Sequence, residues 1–333
     1  MKYEFKKQKR WLITGVAGFI GTNLLIELLN NNQKVTGIDN FFSGKKSNLN
    51  QAKKIVGLKN WKNFTFYEGD ICKLRDCFKV VKGNNFILHH AALGSVPKSM
   101  KQPGLNNDIN VNGFLNILLA AKEYNVDRII YASSSAVYGD GPELPKKEDS
   151  EIKPLSPYAL SKLINEQYAK LFSKIYNMQI TGLRYFNVYG PFQDENGDYA
   201  AVIPKWIENF KKSKSVVIYG DGKSTRDFCH VSDIVNANIL VAQSKKNISG
   251  EVFNVGNGKK INLDQLFELI KNSFEGTTFK PNQEKPEYKS YRDGDIKQSF
   301  ASINKIKKTI KYNTKTSLKS GMKDTVAWFI AKE

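Results

Sequence analysis

Short apolar runs and helical stripes alternate along the first half of the chain. Lys9 to Thr14 reads as a strand that runs into a glycine turn. Phe19 to Leu29 follows, with apolar residues at Phe19, Ile20, Leu24, Leu25, Leu28 and Leu29, the spacing of one helix face. Val35–Asp39, Phe64–Glu68, Phe86–His90 and Arg128–Ala132 read as further strands, and residues 72–82 and 106–124 as helices. Pro154–Ile175 predicts a long helix and Gln179–Arg184 another strand. Strands alternating with helices predict an α/β fold, a doubly wound parallel sheet covered on both faces.

The pattern loosens beyond residue 188. Residues 193–198 and 220–223 read as loops, and helices are expected near 201–212, 231–243, 262–274 and 316–331. The expected division is residues 1–187 for the sheet domain and 188–333 for a smaller α/β lobe, with the chain free to cross back. No repeat or low-complexity tract is present.

Composition narrows the class. At 333 residues and 41% hydrophobic, the chain can bury a substantial core. No apolar run is long enough for a membrane span, and the basic start lacks the apolar stretch of a secretory signal. Cys72, Cys77 and Cys229 are too scattered for a disulfide framework or metal ligation, and the three histidines form no metal pattern. A reduced, cytoplasmic protein is expected. The net charge of +19 comes from dispersed lysines rather than one basic segment, so it reads as a solvated surface and not as a nucleic-acid site.

Gly15-Val16-Ala17-Gly18-Phe19-Ile20-Gly21 lies between the first strand and its helix. Glycines there let backbone N–H groups approach a phosphate, and the helix start adds partial positive charge. Asp39 ends the next strand, where an acid suits an adenosine ribose diol and repels a 2′-phosphate. The cofactor read from this set is NAD. Asp70-Ile71 suits an adenine edge, and Ala91-Ala92 lets the cofactor pass close to the sheet.

Tyr158 and Lys162 stand one helical turn apart on the same face. A lysine charge favours the phenolate and so brings the tyrosine toward use as a base. Ser133-Ser134-Ser135 closes the fifth strand and offers a hydroxyl to the same proton path.

With these motifs in place, the chain resembles the extended short-chain dehydrogenases/reductases, specifically nucleotide-sugar 4-epimerases. The likeness spans nearly the whole chain. It is carried by Gly15–Gly21, Ser133-Ser134-Ser135-Ala136-Val137-Tyr138-Gly139, Ser156-Pro157-Tyr158, Arg184-Tyr185-Phe186-Asn187-Val188-Tyr189-Gly190-Pro191, Arg226-Asp227-Phe228 and Arg292-Asp293-Gly294-Asp295. The segments His90–Pro97 and Tyr199–Trp206 are most similar to bacterial UDP-N-acetylglucosamine 4-epimerases of surface-polysaccharide pathways.

The resemblance implies roles. Ser134, Tyr158 and Lys162 would be catalytic. Phe19, Ile20, Asn40, Ser43, Gly44, Asn110 and Tyr185 would join the cofactor site, with Tyr158 and Lys162. Ser95, Ser134, Ser135, Ala201 and Val202 would line the substrate pocket, with Asn187 hydrogen-bonding near the diphosphate or sugar. A loop at Val217-Ile218-Tyr219 would face uracil, Arg226 and Arg292 would hold the diphosphate, and Asp295 would contact a ribose hydroxyl or place Arg292. At the position of Ser299 a bulky tyrosine restricts relatives to glucose and galactose, so serine implies room for an N-acetyl group. Homodimerisation through helices 106–124 and 156–177 is likewise implied. Related dehydratases carry an Asp-Glu pair where this chain has Ser135 and Ala136, which argues against that reaction. Retention of Tyr158 and Lys162 argues against a non-catalytic relative.

Overall fold

The computed structural model describes residues 5, 7–196, 201–291 and 298–332. Its central sheet has seven strands: β1 (Arg10–Thr14), β2 (Lys34–Asp39), β3 (Phe64–Glu68), β4 (Phe86–His89), β5 (Arg128–Ser134), β6 (Ile180–Tyr185) and β7 (Val252–Val255). Their spatial order is β7-β6-β5-β4-β1-β2-β3. The pairings from β3 through β2, β1 and β4 to β5 are parallel, with Trp11 opposite Val35 and Phe86. The order reverses direction at β1, and in such sheets a ligand sits at the carboxyl ends of the strands beside that reversal. The doubly wound expectation is met.

The chain divides into two compact units. The first comprises Met1–Val137, Pro154–Arg184 and Val235–Phe253, and the second Tyr138–Lys153, Tyr185–Ile234 and Asn254–Glu333. The core of the first unit packs Leu12, Ile38, Ile87, Phe114, Ile117, Ile129 and Tyr131 between the sheet and its helices. The second unit has its own core of Tyr189, Trp206, Phe210, Phe228, Phe267, Met322 and Phe329.

Local chemistry explains where elements start. The long helix begins at Pro157 rather than Pro154, because Ser156 is extended and its side chain accepts a hydrogen bond from the Ala159 N–H. A residue before proline avoids helical geometry, and proline suits the first helical position. The helical stretch expected near 106–124 is present, running without a break from Pro103–Asn107 through a π-turn at Asp108–Asn112 into Gly113–Glu123. A helix at Lys46–Trp61 was not expected. Its buried face is only Asn48, Leu49, Ala52 and Val56, and Gly57 breaks its geometry with φ of 74°.

Val217-Ile218-Tyr219 is a correction to the sequence reading. It is not a loop but a short strand, paired in parallel with Glu287–Lys289. Three residues flanked by polar sequence give no periodic signal, and the partner strand lies far along the chain.

Candidate active site

The glycine turn closes tightly at the end of β1. Gly15 has φ of 69°, and a Cβ there would lie 2.8 Å from the Ala91 backbone nitrogen. A Cβ on Gly21 would collide with the Gly15 carbonyl oxygen. Only glycine lets strand, turn and helix approach this closely. Beside them Thr14 joins the ends of β1 and β4, since its hydroxyl oxygen accepts the His90 and Ala91 N–H groups, both at 3.1 Å.

These segments line an open groove of about 560 Å³. Gly15, Gly18, Asp39, Asn40, Ser43, Asp70, Ile71, Ala91 and Ala92 all face it, as the sequence suggested. His90, Gly69, Phe42 and Ile109 line it too and were not foreseen. His90 precedes Ala91 directly, so its position at the strand end was the available signal. Burial drives its imidazole pKa down to about 3, so it is neutral near pH 7.

Asp39 is buried at the groove. Its carboxylate accepts the Ala17 N–H at 2.9 Å and the Phe41 N–H at 2.8 Å. Burial pushes its pKa up, and these amides with that of Asn40 pull it down. Gly44 packs on it, because a Cβ there would sit 2.9 Å from the carboxylate oxygens. Asp39 therefore braces the glycine turn as well as presenting an acid to the groove. Phe19, Ile20 and Gly21 open the helix behind the turn rather than lining the groove.

Asn110 is placed otherwise than as a simple ligand. It accepts the Leu93 N–H at 2.7 Å and donates to Asn106 Oδ1 and Ser161 Oγ, both at 3.0 Å. It sits in the π-turn and ties the segment after β4 to the long helix. Tyr185 ends β6 and is buried.

The three residues expected to be catalytic come together within the first unit. Ser134 closes β5, and Tyr158 and Lys162 come from one turn of the helix Pro157–Tyr176. The Ser134 hydroxyl lies beside the Tyr158 phenol and accepts the Ala136 N–H at 3.2 Å. Lys162 Nζ lies 5.8 Å from the Tyr158 ring centre and donates to the Ala132 carbonyl at 2.9 Å. Burial raises the phenol pKa and the Ser134 hydroxyl lowers it; burial also brings Lys162 down to about 8. The first turn of this helix is fixed by Ser99, whose Oγ accepts the Tyr158 N–H at 3.1 Å. One turn beyond Lys162, Glu166 accepts from Ser133 at 2.6 Å and from Arg184 Nη2 at 2.7 Å. This fully buried pair, unforeseen from sequence, sets the register of the catalytic helix on β5 and β6. Ser133 thus serves the scaffold and Ser134 the site.

Ser95 caps the helix Val96–Lys101 by accepting the Lys98 N–H at 3.3 Å. Ser135 opens the turn Ser135–Tyr138.

In the second unit Asn187 donates to the Asp227 carbonyl at 3.0 Å. Arg226 lies on the strand Thr225–Arg226, paired with Ile261–Asn262, and the Ser299 N–H donates to the Thr225 carbonyl at 3.0 Å. Asn187, Arg226 and Ser299 are thereby brought onto neighbouring backbone. Ala201 precedes the helix Val202–Lys211, on which Val202 is half-buried. Val217 and Tyr219 share one side of their strand, opposite buried Ile218. Arg292 and Asp295 lie outside the described residues. Among the described residues no helix is long and apolar enough to cross a membrane.

Residues 11–256 match the model of the NAD dependent epimerase/dehydratase family. The fold superposes with a TM-score of 0.89 on a UDP-N-acetylglucosamine 4-epimerase from Methanobrevibacter ruminantium, solved with UDP-N-acetylmuramic acid; identity is 40%, covering 98% of this chain and 100% of that one. A Thermus thermophilus UDP-glucose 4-epimerase solved with NAD gives 0.83 at 29% identity, covering 97% of this chain and 100% of that one. A UDP-glucuronate 4-epimerase of Thermodesulfobacterium geofontis is 32% identical over 96% of this chain and 95% of its own length. The chain belongs to the NAD dependent epimerase/dehydratase family. Within it, the class to which fold and relatives assign the chain is that of UDP-sugar 4-epimerases working with NAD.

Proposed function

We propose that the enzyme interconverts the C4 epimers of UDP-N-acetylhexosamines, UDP-N-acetylglucosamine and UDP-N-acetylgalactosamine or their uronic acids, in the supply of surface polysaccharide. The observation that carries this sugar choice is Ser299. This small residue donates its N–H to the Thr225 carbonyl beside Arg226, and by the family resemblance bulk there would exclude an acetamido group. The likeness to a UDP-N-acetylglucosamine 4-epimerase supports the same choice.

Gly15, Gly18, Asp39, Asp70 and Ala91 would hold the cofactor along the groove. Gly15 and Gly18 face the groove without a side chain, which leaves room for a pyrophosphate to approach the backbone at the helix start. When bound, NAD supplies a hydride acceptor that is regenerated within each cycle. Tyr158 takes the proton from the sugar 4-hydroxyl and returns it after the transient 4-keto sugar has turned. Ser134, beside the phenol, would share that proton, and the Lys162 ammonium, 5.8 Å from the ring centre, would favour the phenolate against the burial that raises its pKa. Arg226 and Arg292 would grip the diphosphate, for which guanidinium forks are suited. Asn187, Ser95, Ser135, Ala201 and Val202 would contact the sugar, Val217 and Tyr219 the uracil, and Asp295 the ribose.

The enzyme would act as a homodimer through the helix Pro157–Tyr176 and its neighbour. Leu160, Leu171 and Ile175 form an exposed apolar stripe there, beside Leu119 on Gly113–Glu123.

Incubation with a panel of UDP-sugars, with the products resolved, tests the function. N-acetylated pairs should turn over faster than UDP-glucose and UDP-galactose, with no net NADH. A preference for the non-acetylated pair rejects the sugar assignment, and stoichiometric NADH rejects epimerisation.

A further inference from the structure

Asp227 has a fully buried carboxylate, and all its described acceptor contacts are backbone amides from distant segments. Oδ1 accepts the Asn257 N–H at 2.8 Å, while Oδ2 accepts Gly258 at 3.0 Å and Ala301 at 3.3 Å. These partners lie 30, 31 and 74 residues along the chain. Gly256 must be glycine for this approach, since a Cβ there would sit 2.8 Å from Oδ2.

The segment reached at Ala301 is the one that carries Ser299. One flank is held by the Ser299 N–H on the Thr225 carbonyl at 3.0 Å. The other is held by Lys146, whose N–H donates to Phe300 and whose carbonyl accepts from Ser302, both at 2.8 Å. Thr225 and Lys146 thus hold the two flanks, and Asp227 fixes the segment at Ala301. Its own carbonyl meanwhile accepts from Asn187 at 3.0 Å.

We propose that Asp227 is a positioning residue for the UDP-sugar, its carboxylate locking the wall segment of Ser299 against the strand that carries Arg226. The inference rests on the assignment of Arg226 and Ser299 to the substrate pocket. Charge-assisted bonds to backbone are strong and directional, and three on one carboxylate set the spacing of the segments they join.

The lock has a pH signature. Burial lifts the Asp227 pKa to about 6, with the three amides pulling the other way. With the carboxyl still buried, protonation places an O–H where an amide donor points and costs the anion its amide bonds, so the segment at Ala301 loosens as pH falls through that value. Among the described groups, Cys229 and Tyr312 face Asp227, and both also face Asp233; Arg226 directly precedes Asp227 in the chain. Cys229 and Tyr312 are pushed up by burial and stay neutral at pH 6, and Asp233 is raised but held by the Lys315 and Thr316 amides. His230, down at about 4, does not titrate there.

Steady-state kinetics on Asp227→Asn test the assignment. The substrate is whichever UDP-sugar the wild-type enzyme turns over fastest, so an error in the acetyl preference leaves the test standing. KM should rise about tenfold or more while kcat at saturation changes by less than about threefold, the pattern of lost binding rather than lost chemistry. Wild-type KM should climb as pH falls through about 6, and the variant should lack that inflection. Wild-type KM in the variant, or an unchanged inflection, overturns the proposal. If the variant does not fold, a wild-type KM flat from about pH 5 to 8 overturns it equally.

Discussion

Two buried carboxylates do similar work in the two units. Asp39 accepts the amides of Ala17 and Phe41, 22 and 2 residues away, and so shapes the groove proposed for the nucleotide from chain close in sequence. Asp227 accepts the amides of Asn257, Gly258 and Ala301, up to 74 residues away, and gathers segments that share no local pattern. A backbone amide satisfies a buried charge without committing a second side chain, so both acids brace a binding surface while leaving its side chains free. The difference lies in range. A cofactor that varies little can be held by one contiguous strand–turn–helix, whereas a sugar pocket drawn from several segments can be altered at one without rebuilding the others.

Three substitutions test this separation of cofactor grip, chemistry and sugar choice, from the largest effect to the smallest. Tyr158→Phe should lower turnover by at least about a hundredfold, the low end for general acid–base catalysis, with NAD retained. Turnover near that of the wild type would remove the phenol from the chemistry. Ser299→Tyr should overfill the wall at a cost of about 1–3 kcal/mol, or roughly a five- to hundredfold loss in kcat/KM for N-acetylated substrates only. Equal loss on UDP-glucose would mean general disruption, and no loss on either would show that position 299 does not gate the pocket. Asp39→Asn should weaken NAD binding about tenfold, because an amide NH₂ must face a backbone donor, and should leave the UDP-sugar KM at saturating NAD unchanged. If Asp39→Asn and Asp227→Asn shift both ligands alike, the two carboxylates do not act on separate sites.

Much of the first unit was legible because its signals are contiguous. Gly15–Gly21 sits between an apolar strand and a helical stripe, and Tyr158 and Lys162 share a face by spacing alone. The helix Lys46–Trp61 was not legible, since Leu49 and Val56 are the only large apolar residues on its inward face. The strand Val217–Tyr219 was read as a loop, because three residues show no periodicity until Glu287–Lys289 lies beside them. Glu166 gave no cue beyond its turn of helix. Its meaning comes from Ser133 and Arg184, which folding alone brings to it.

The sequence by itself determined the alternating fold, the glycine turn with its acid, and the spacing of the proton-transfer pair. Each depends on residues within a few turns or one strand crossing of each other, where backbone geometry leaves few arrangements. Tertiary structure decided what holds the helix of Tyr158 and Lys162 in register, and that the acid after Arg226 binds three remote amides. Those outcomes depend on which distant groups share a dry interior, where each buried polar atom must find a partner, and no local pattern specifies that choice.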